Sequence, residues 1–460
     1  MSVLDTHRGV HFLGIGGAGM SALAELLLAR DYAVSGCDLK GGPGIDRLAA
    51  LGVETFNGHA AAHLAAADLL VVTSAVAAGN LEVAAARQRG QTVIRRAELL
   101  GAVMEGARGI AVAGTHGKST TTAMVGAVLE AAGWDPTVLV GGRIRGEGGN
   151  VRVGGGGWLV AEADEFDRSF LALSPDHAVI NNIEADHLDT YGSVDDLRAA
   201  FRRFAAQVRE GGTLVLGIDD PAVRELERPS PCRTVTFGLA EDADVRAAGD
   251  VESRGLETRF TLRLPGGREE PIGLGVPGLH NVQNALGAAA LGWSLGVGVE
   301  AIRAGLGAVQ GVERRFEVVY EDEEVFIVDD YAHHPTEITA TLSCARAGWP
   351  KRRLVAVFQP HLYSRTRDFA AEFGAALAAA DVVFVTDIYA AREAPIPGIT
   401  GRLVSEAART AGIGDVTFVA DGTVARAVAA RIEPGDLVLT MGAGDIDSVA
   451  RRLAAERGER

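Results

Sequence analysis

The chain is poor in aromatic residues, cysteine, long apolar runs and positive charge, and each scarcity removes a class of protein. Aromatics make up 5% of the residues beside an apolar content of 47%. That balance predicts a core of Ala, Val, Leu and Gly, as in packed α/β layers. Cys37, Cys232 and Cys344 are odd in number and far apart. Neither a disulfide framework nor a metal-ligand spacing can be read from them, and a reducing cytoplasm is the simplest context. Gly, Asp or Arg interrupts every apolar run well before the ~20 residues that a bilayer span requires. No basic segment followed by an apolar one and a cleavage site opens the chain, so neither secretion nor a membrane is expected. With 44 Lys+Arg against 60 Asp+Glu, the net charge is −16, which argues against nonspecific nucleic-acid binding. At 460 residues the chain exceeds what one core supports, and two or three domains are expected.

Against this background one run stands out: Gly114-Thr115-His116-Gly117-Lys118-Ser119-Thr120. Apolar residues 110–113 before it predict a buried strand, and a helix is predicted to open at Lys118. Such a junction exposes unpaired N–H groups and the positive end of a helix dipole. Glycines let the backbone approach phosphate, lysine adds charge, and a hydroxyl can reach magnesium. The spacing points to nucleoside triphosphate, although Val112 stands where the full phosphate-loop pattern has glycine. A plain tight turn would explain the glycines but not the lysine and hydroxyl beside them.

The N-terminal unit carries a second nucleotide signal. Strand Val10–Leu13 runs into Gly14-Ile15-Gly16-Gly17-Ala18-Gly19, a helix follows, and a second strand ends at Asp38. This glycine fingerprint suits a diphosphate on a helix N-terminus, with a carboxylate near a ribose. Any nucleoside diphosphate would satisfy it, NAD included. Further on, strands ending at Glu162-Ala163-Asp164-Glu165 and Glu184-Ala185-Asp186-His187 bring acid and imidazole to the edge that carries the phosphate loop, where they could hold magnesium. For Asp164 and Asp189, capping of the next helix explains the placement equally well. Alternation over residues 245–278 suggests an antiparallel patch. A third strand–helix unit follows Gly311, with His333, His361 and Arg365 near its strand ends.

In order and over nearly the whole chain, these segments resemble the Mur ligases, the amide-forming enzymes of bacterial peptidoglycan synthesis. The similarity is greatest to the branch that joins L-alanine to UDP-N-acetylmuramate. It rests on residues 14–20, 114–120, 182–191, 280–284, 311–316, 329–337 and 358–367. The resemblance implies three α/β domains: a Rossmann-like UDP-sugar domain over residues 1–107, a central phosphate-loop ATPase-like domain over 108–311, and a Rossmann-like amino-acid domain over 312–460. It implies Gly16, Gly17, Gly19, Asp38 and Ser74 around the UDP moiety. Residues Gly114 to Thr120, His280, Asn281, Asn284 and Arg314 would hold ATP, with Lys118 on its phosphates. Ser119, Glu165 and His187 would be the magnesium ligands. Tyr331, His333, His361 and Arg365 would form the alanine pocket, Arg365 pairing with the carboxylate and His333 taking the amine proton. For both histidines, a loop-bracing role competes. Substrates in three domains imply closure on binding, in a cytoplasmic monomer or weak homodimer.

Two departures accompany the resemblance. Residues 197–201 contain no lysine where several members carry a carbamylated one, and Leu362 replaces a frequent arginine. The nearest alternative is the branch that recycles a tripeptide onto the same acceptor. A nicotinamide-dependent oxidoreductase is the alternative from another class, but it leaves the triphosphate loop unused.

Overall fold

The computed structural model describes residues 2–458 apart from 74, 75, 78, 147, 148, 227–231, 392 and 421. Ser74 therefore lies outside the described residues, as does the side chain of Asp189. The chain forms two compact units. One comprises Met1–Asp250, Phe260–Ile272 and Gln283–Gln310; the other comprises Val251–Arg259, Gly273–Val282 and Gly311–Arg460.

The first unit begins with strands β1 (Gly9–Leu13), β2 (Ala33–Asp38), β3 (Glu54–Asn57), β4 (Leu69–Val72) and β5 (Thr92–Arg95). They form a parallel sheet in the order β3-β2-β1-β4-β5. The order reverses beside β1, so the glycine turn after it opens at the sheet's switch point, where such folds bind ligands.

A ten-stranded sheet follows. Its strands are β6 (Arg108–Ala113), β7 (Thr137–Leu139), β8 (Val151–Arg152), β9 (Trp158–Glu162), β10 (His177–Ile180), β11 (Thr213–Gly217), β12 (Arg233–Gly238), β13 (Val245–Arg254), β14 (Glu257–Arg263) and β15 (Glu269–Leu274). The order is β15-β14-β13-β12-β11-β10-β6-β9-β7-β8. Strand β6 is flanked on both sides by parallel partners, and Ile110 to Ala113 are fully buried. Such continuous apolar strands suit a sheet covered on both faces. The helix Lys118–Ala131 contains Thr120, Thr121 and Thr122 in its opening turns, residues of modest helix propensity. Burial of Met124, Val125, Val128 and Leu129 holds it instead, each contributing about 1.5–3 kcal/mol. The lysine-free stretch at residues 197–201 lies on helix Val194–Ala205, with Leu197, Ala200 and Phe201 in the core.

The second unit contains β16 (Glu317–Glu321), β17 (Val325–Asp330), β18 (Leu354–Phe358), β19 (Val382–Val385), β20 (Val416–Phe418) and β21 (Asp436–Met441). Their order is β16-β17-β21-β18-β19-β20. In this sheet β16 runs antiparallel to β17, and the other pairings are parallel, so β16 and β17 form an antiparallel pair at the edge of a parallel sheet. Among the described residues, no helix is long and apolar enough to cross a membrane.

Candidate active site

The phosphate loop is built from three parallel strands. After β6 the chain turns at Gly114 and enters its helix through Gly117, whose φ of +79° serves as the N-cap. Asn182, beyond the end of β10, accepts the His116 N–H on Oδ1 at 2.7 Å, and its carbonyl accepts the Thr115 N–H at 3.1 Å. Asn181 Nδ2 donates to Thr121 Oγ1 at 3.0 Å. These asparagines position the loop. Sequence reading placed Asn182 in a telling segment without giving either residue a task.

Lys118 bends back over its own loop. Its Nζ donates to the Gly114 carbonyl at 2.7 Å, the Thr115 carbonyl at 3.2 Å, and both Glu165 oxygens at 3.0 and 2.7 Å. Burial alone would lower the lysine pKa, but Glu165, Asp164 and Glu162 together raise it. Burial also pushes the Glu165 carboxyl up to about 7, against the pull of Lys118. His187 Nε2 lies 3.8 Å from Glu165 Oε1, and His187 adopts a left-handed φ of +54°. Non-glycine residues in that region store strain, which recurs at ligand sites.

Of the three expected magnesium ligands, the fold thus brings Glu165 and His187 together. Ser119 hydrogen-bonds to Glu162, the acid at the end of β9, whose pKa is raised by burial. Glu162 belongs to the acidic strand end expected to hold magnesium, but not to the three ligands named there. Asp164 Oδ1 accepts the Phe166 N–H at 3.1 Å, but the short helix Phe166–Ala172 has Glu165 at its N-cap and no side-chain cap, so Asp164 does not cap it.

At the N-terminal turn, Gly14 and Ile15 donate their N–H groups to the Cys37 carbonyl at 2.8 and 3.1 Å. Asp38 Oδ2 accepts the Gly16 N–H at 3.0 Å. The aspartate expected near a ribose therefore also shapes the glycine turn. Gly17 caps helix Ala18–Leu28. A side chain at Gly19 would run into the Arg96 guanidinium, whose Nη2 is 3.8 Å from Asp164 Oδ2. Arg96 thus sits between the two glycine-bearing edges of this unit. Its only sequence signal was a basic residue just after β5.

His280, Asn281 and Asn284 all lie near the start of helix Leu279–Ser294. Asn281 Nδ2 donates to the Pro277 carbonyl at 2.7 Å, and Asn284 Oδ1 accepts from Thr121 Oγ1 at 3.2 Å. Burial and then the Arg315 charge push His280 down from 6.5 to about 4, with Glu337 opposing. The folded protein therefore favours neutral His280, while the unfolded chain takes up a proton below about 6.5. The stability contributed by this group is full above that value and is lost as pH falls toward 4. Thermal melts across that window should decline, and His280→Gln should flatten the decline; an identical slope in the variant would refute this origin.

In the second unit, the guanidiniums of Arg314 and Arg315 each lie with Cζ 5.2 Å from the Tyr331 ring centroid. The Tyr331 and His333 rings meet edge-on at 5.1 Å, and those of His333 and His361 at 5.6 Å. His361 in turn stacks on Tyr389 at 5.9 Å. Tyr389 was not expected; its contact with His361 is a β-bridge between loops, invisible in local sequence. His333 Nδ1 lies 2.9 Å from the Tyr331 carbonyl. A carbonyl only accepts, so a neutral His333 keeps its lone pair on Nε2. Leu362, between His361 and Tyr363, holds a left-handed φ of +67°. Arg365 is buried on helix Tyr363–Asp368.

Arg314, expected over ATP phosphates, is engaged within its own unit. It bonds Asp329 at 2.9 Å and the carbonyls of Gly444 and Gly442 at 2.9 and 2.7 Å.

Three family models match the chain: "Mur ligase family, catalytic domain" over residues 9–108, "Mur ligase middle domain" over 157–292, and "Mur ligase, glutamate ligase domain" over 314–444. The chain is 47% identical over 457 residues to a UDP-N-acetylmuramate–L-alanine ligase of Chlorobaculum parvum, spanning 98% of this chain and 97% of that one. Identity to the enzyme of the same name from Xanthomonas campestris is 45%, over 97% and 95% of the two chains. Among solved structures, the UDP-N-acetylmuramate-alanine ligase of Thermotoga maritima superposes with a TM-score of 0.83 at 31% identity, over 98% and 99% of the chains. A murein peptide ligase of Psychrobacter arcticus gives 0.73 at 25% identity, over 98% and 99%. With three sheets in the expected order and relatives this similar from end to end, the chain belongs to the Mur ligase family.

Proposed function

We propose that the protein joins L-alanine to the carboxylate of UDP-N-acetylmuramate with conversion of ATP to ADP and phosphate, a cytoplasmic step of peptidoglycan precursor synthesis. Near-complete coverage by alanine-adding relatives carries this reading. The glycine turn at residues 14–19 supports UDP-sugar binding by residues 1–107, the phosphate loop ATP binding by 108–311, and the Tyr331–His333–His361 ring cluster alanine binding by 312–460.

A carboxylate does not acylate an amine at neutral pH because oxide is too poor a leaving group. Transfer of the γ-phosphoryl group to the muramoyl carboxylate gives an acyl phosphate; attack by the alanine amine then expels phosphate and leaves the amide. Lys118 exchanges its loop carbonyls for phosphate oxygens and stabilises charge during transfer. The Glu165 carboxylate and the Ser119 hydroxyl are oxygen donors of the kind magnesium takes, with the His187 imidazole beside Glu165; magnesium held there would screen the phosphate charges. His333 Nε2 takes the ammonium proton of alanine. Asn281, Asn284 and the neutral His280 line the adenine, and Arg365 holds the alanine carboxylate in a two-pronged pair.

Competition tests the acceptor branch. Offered L-alanine and the tripeptide L-alanyl-γ-D-glutamyl-diaminopimelate, the enzyme should strongly favour alanine. Arg365→Lys should raise the KM for alanine by roughly 10–100-fold, because an ammonium cannot reproduce the guanidinium fork, while the KM for ATP stays near its original value. Preference for the tripeptide, or unaltered alanine kinetics in the variant, would overturn the assignment.

A further inference from the structure

His11 interrupts the apolar strand β1 and is fully buried. Its Nδ1 lies 2.8 Å from Ser35 Oγ, while Nε2 faces Glu82 Oε2 at 3.7 Å and has no hydrogen-bond partner. Glu82, also fully buried, stands in the first turn of helix Leu81–Gln88. It gathers Cys37 Sγ at 3.0 Å, His63 Nδ1 at 2.7 Å and the Ala60 N–H at 2.9 Å. The ligand atoms of His11, Cys37, His63 and Glu82 all lie within 4.8 Å of one another.

Burying this many polar groups beneath a sheet is costly unless they are satisfied. Hydrogen bonding satisfies Glu82 but leaves the buried His11 Nε2 aimed into the cluster without a partner. One thiol, two imidazoles and one carboxylate make a complete tetrahedral set for a borderline-soft cation, whereas magnesium and calcium favour oxygen alone.

We propose that His11, Cys37, His63 and Glu82 form a closed structural site for one zinc ion. Zinc–nitrogen and zinc–sulfur bonds of about 2.0–2.3 Å place tetrahedral ligand atoms roughly 3.3–3.8 Å apart. The observed spacings of 2.7, 3.0 and 3.7 Å to Glu82 therefore need only small side-chain shifts. On binding, the Cys37 thiol releases its proton to solvent, and metal bonds replace the hydrogen bonds to Glu82. Ser35 orients His11 from behind, and Phe56 stacks on His63 with centroids 4.1 Å apart; such outer contacts fix ligand rings. The Cys37 carbonyl anchors the N–H groups of Gly14 and Ile15, so the ion would also steady the glycine turn. This inference stands apart from the ligase reading.

Chelator-treated full-length protein, titrated with zinc against a chromophoric competitor, should take up one equivalent. Cobalt in place of zinc should give intense tetrahedral visible bands and a sulfur-to-metal charge-transfer band. Cys37→Ser should abolish that charge-transfer band, and either Cys37→Ser or His63→Ala should weaken zinc binding at least tenfold. Zinc should raise the melting temperature of the wild type and not of these variants. The wild-type cobalt spectrum reports sulfur ligation by itself, so a variant that fails to fold does not rescue the proposal. Absence of zinc uptake, a cobalt spectrum without the sulfur band, or equal binding by the folded variants would overturn it.

Discussion

Lys118→Ala is expected to lower turnover by roughly 10²–10⁴-fold, the scale of removing a charge aimed at a transferring phosphoryl group. The structure gives this expectation a specific form. Lys118 Nζ already bridges the loop carbonyls of Gly114 and Thr115 to Glu165, so it is held over the ground where phosphates would lie. Its removal also leaves Glu165, 1% exposed, without its cation, and breaking a buried pair from one side costs about 3–5 kcal/mol. Stability must therefore be measured beside rate. In folded variant protein, binding of UDP-N-acetylmuramate should be little affected, because the glycine turn at residues 14–19 is built on another sheet. Loss of the sugar nucleotide with ATP binding intact would mean that the two loops had been assigned the wrong way round.

Gly117→Ala should be nearly as damaging. The backbone there has φ of +79°, and an added Cβ would land on Asn284 Oδ1 and lie 3.1 Å from Asn181 Nδ2. A left-handed conformation alone costs an L-residue about 1–2 kcal/mol, and displacing two bracing asparagines adds to that. We expect kcat/KM for ATP to fall at least roughly tenfold, equivalent to about 1.4 kcal/mol. Trimming Asn284 in the same chain should recover part of the backbone geometry but not the contact proposed between Asn284 and the nucleotide. Wild-type ATP kinetics in Gly117→Ala would contradict the close packing of this loop.

Both glycine turns were legible in the sequence because each is a local object: a buried strand, glycines, and a helix start within a few residues. The Tyr331, His333 and His361 grouping was also legible, through family resemblance. Residues whose importance comes from distant parts of the chain were not. Arg96 stands out because it meets Gly19 and Asp164, and Tyr389 because a bridge sets it against His361. Cys37 is the sharpest case. Its spacing from other cysteines carried no metal signal, yet the fold surrounds it with His11, His63 and Glu82. Arg314, a motif residue expected over phosphates, is bound by Asp329 and two carbonyls of its own unit.

The most direct test of the account is phosphate release by the purified enzyme with magnesium, ATP, UDP-N-acetylmuramate and L-alanine supplied together and then omitted one at a time. The proposed nucleotide-binding turns and amino-acid pocket predict release only from the complete mixture, one phosphate for each amide formed. Equal release without L-alanine would make the protein a simple ATPase and contradict the ligase assignment.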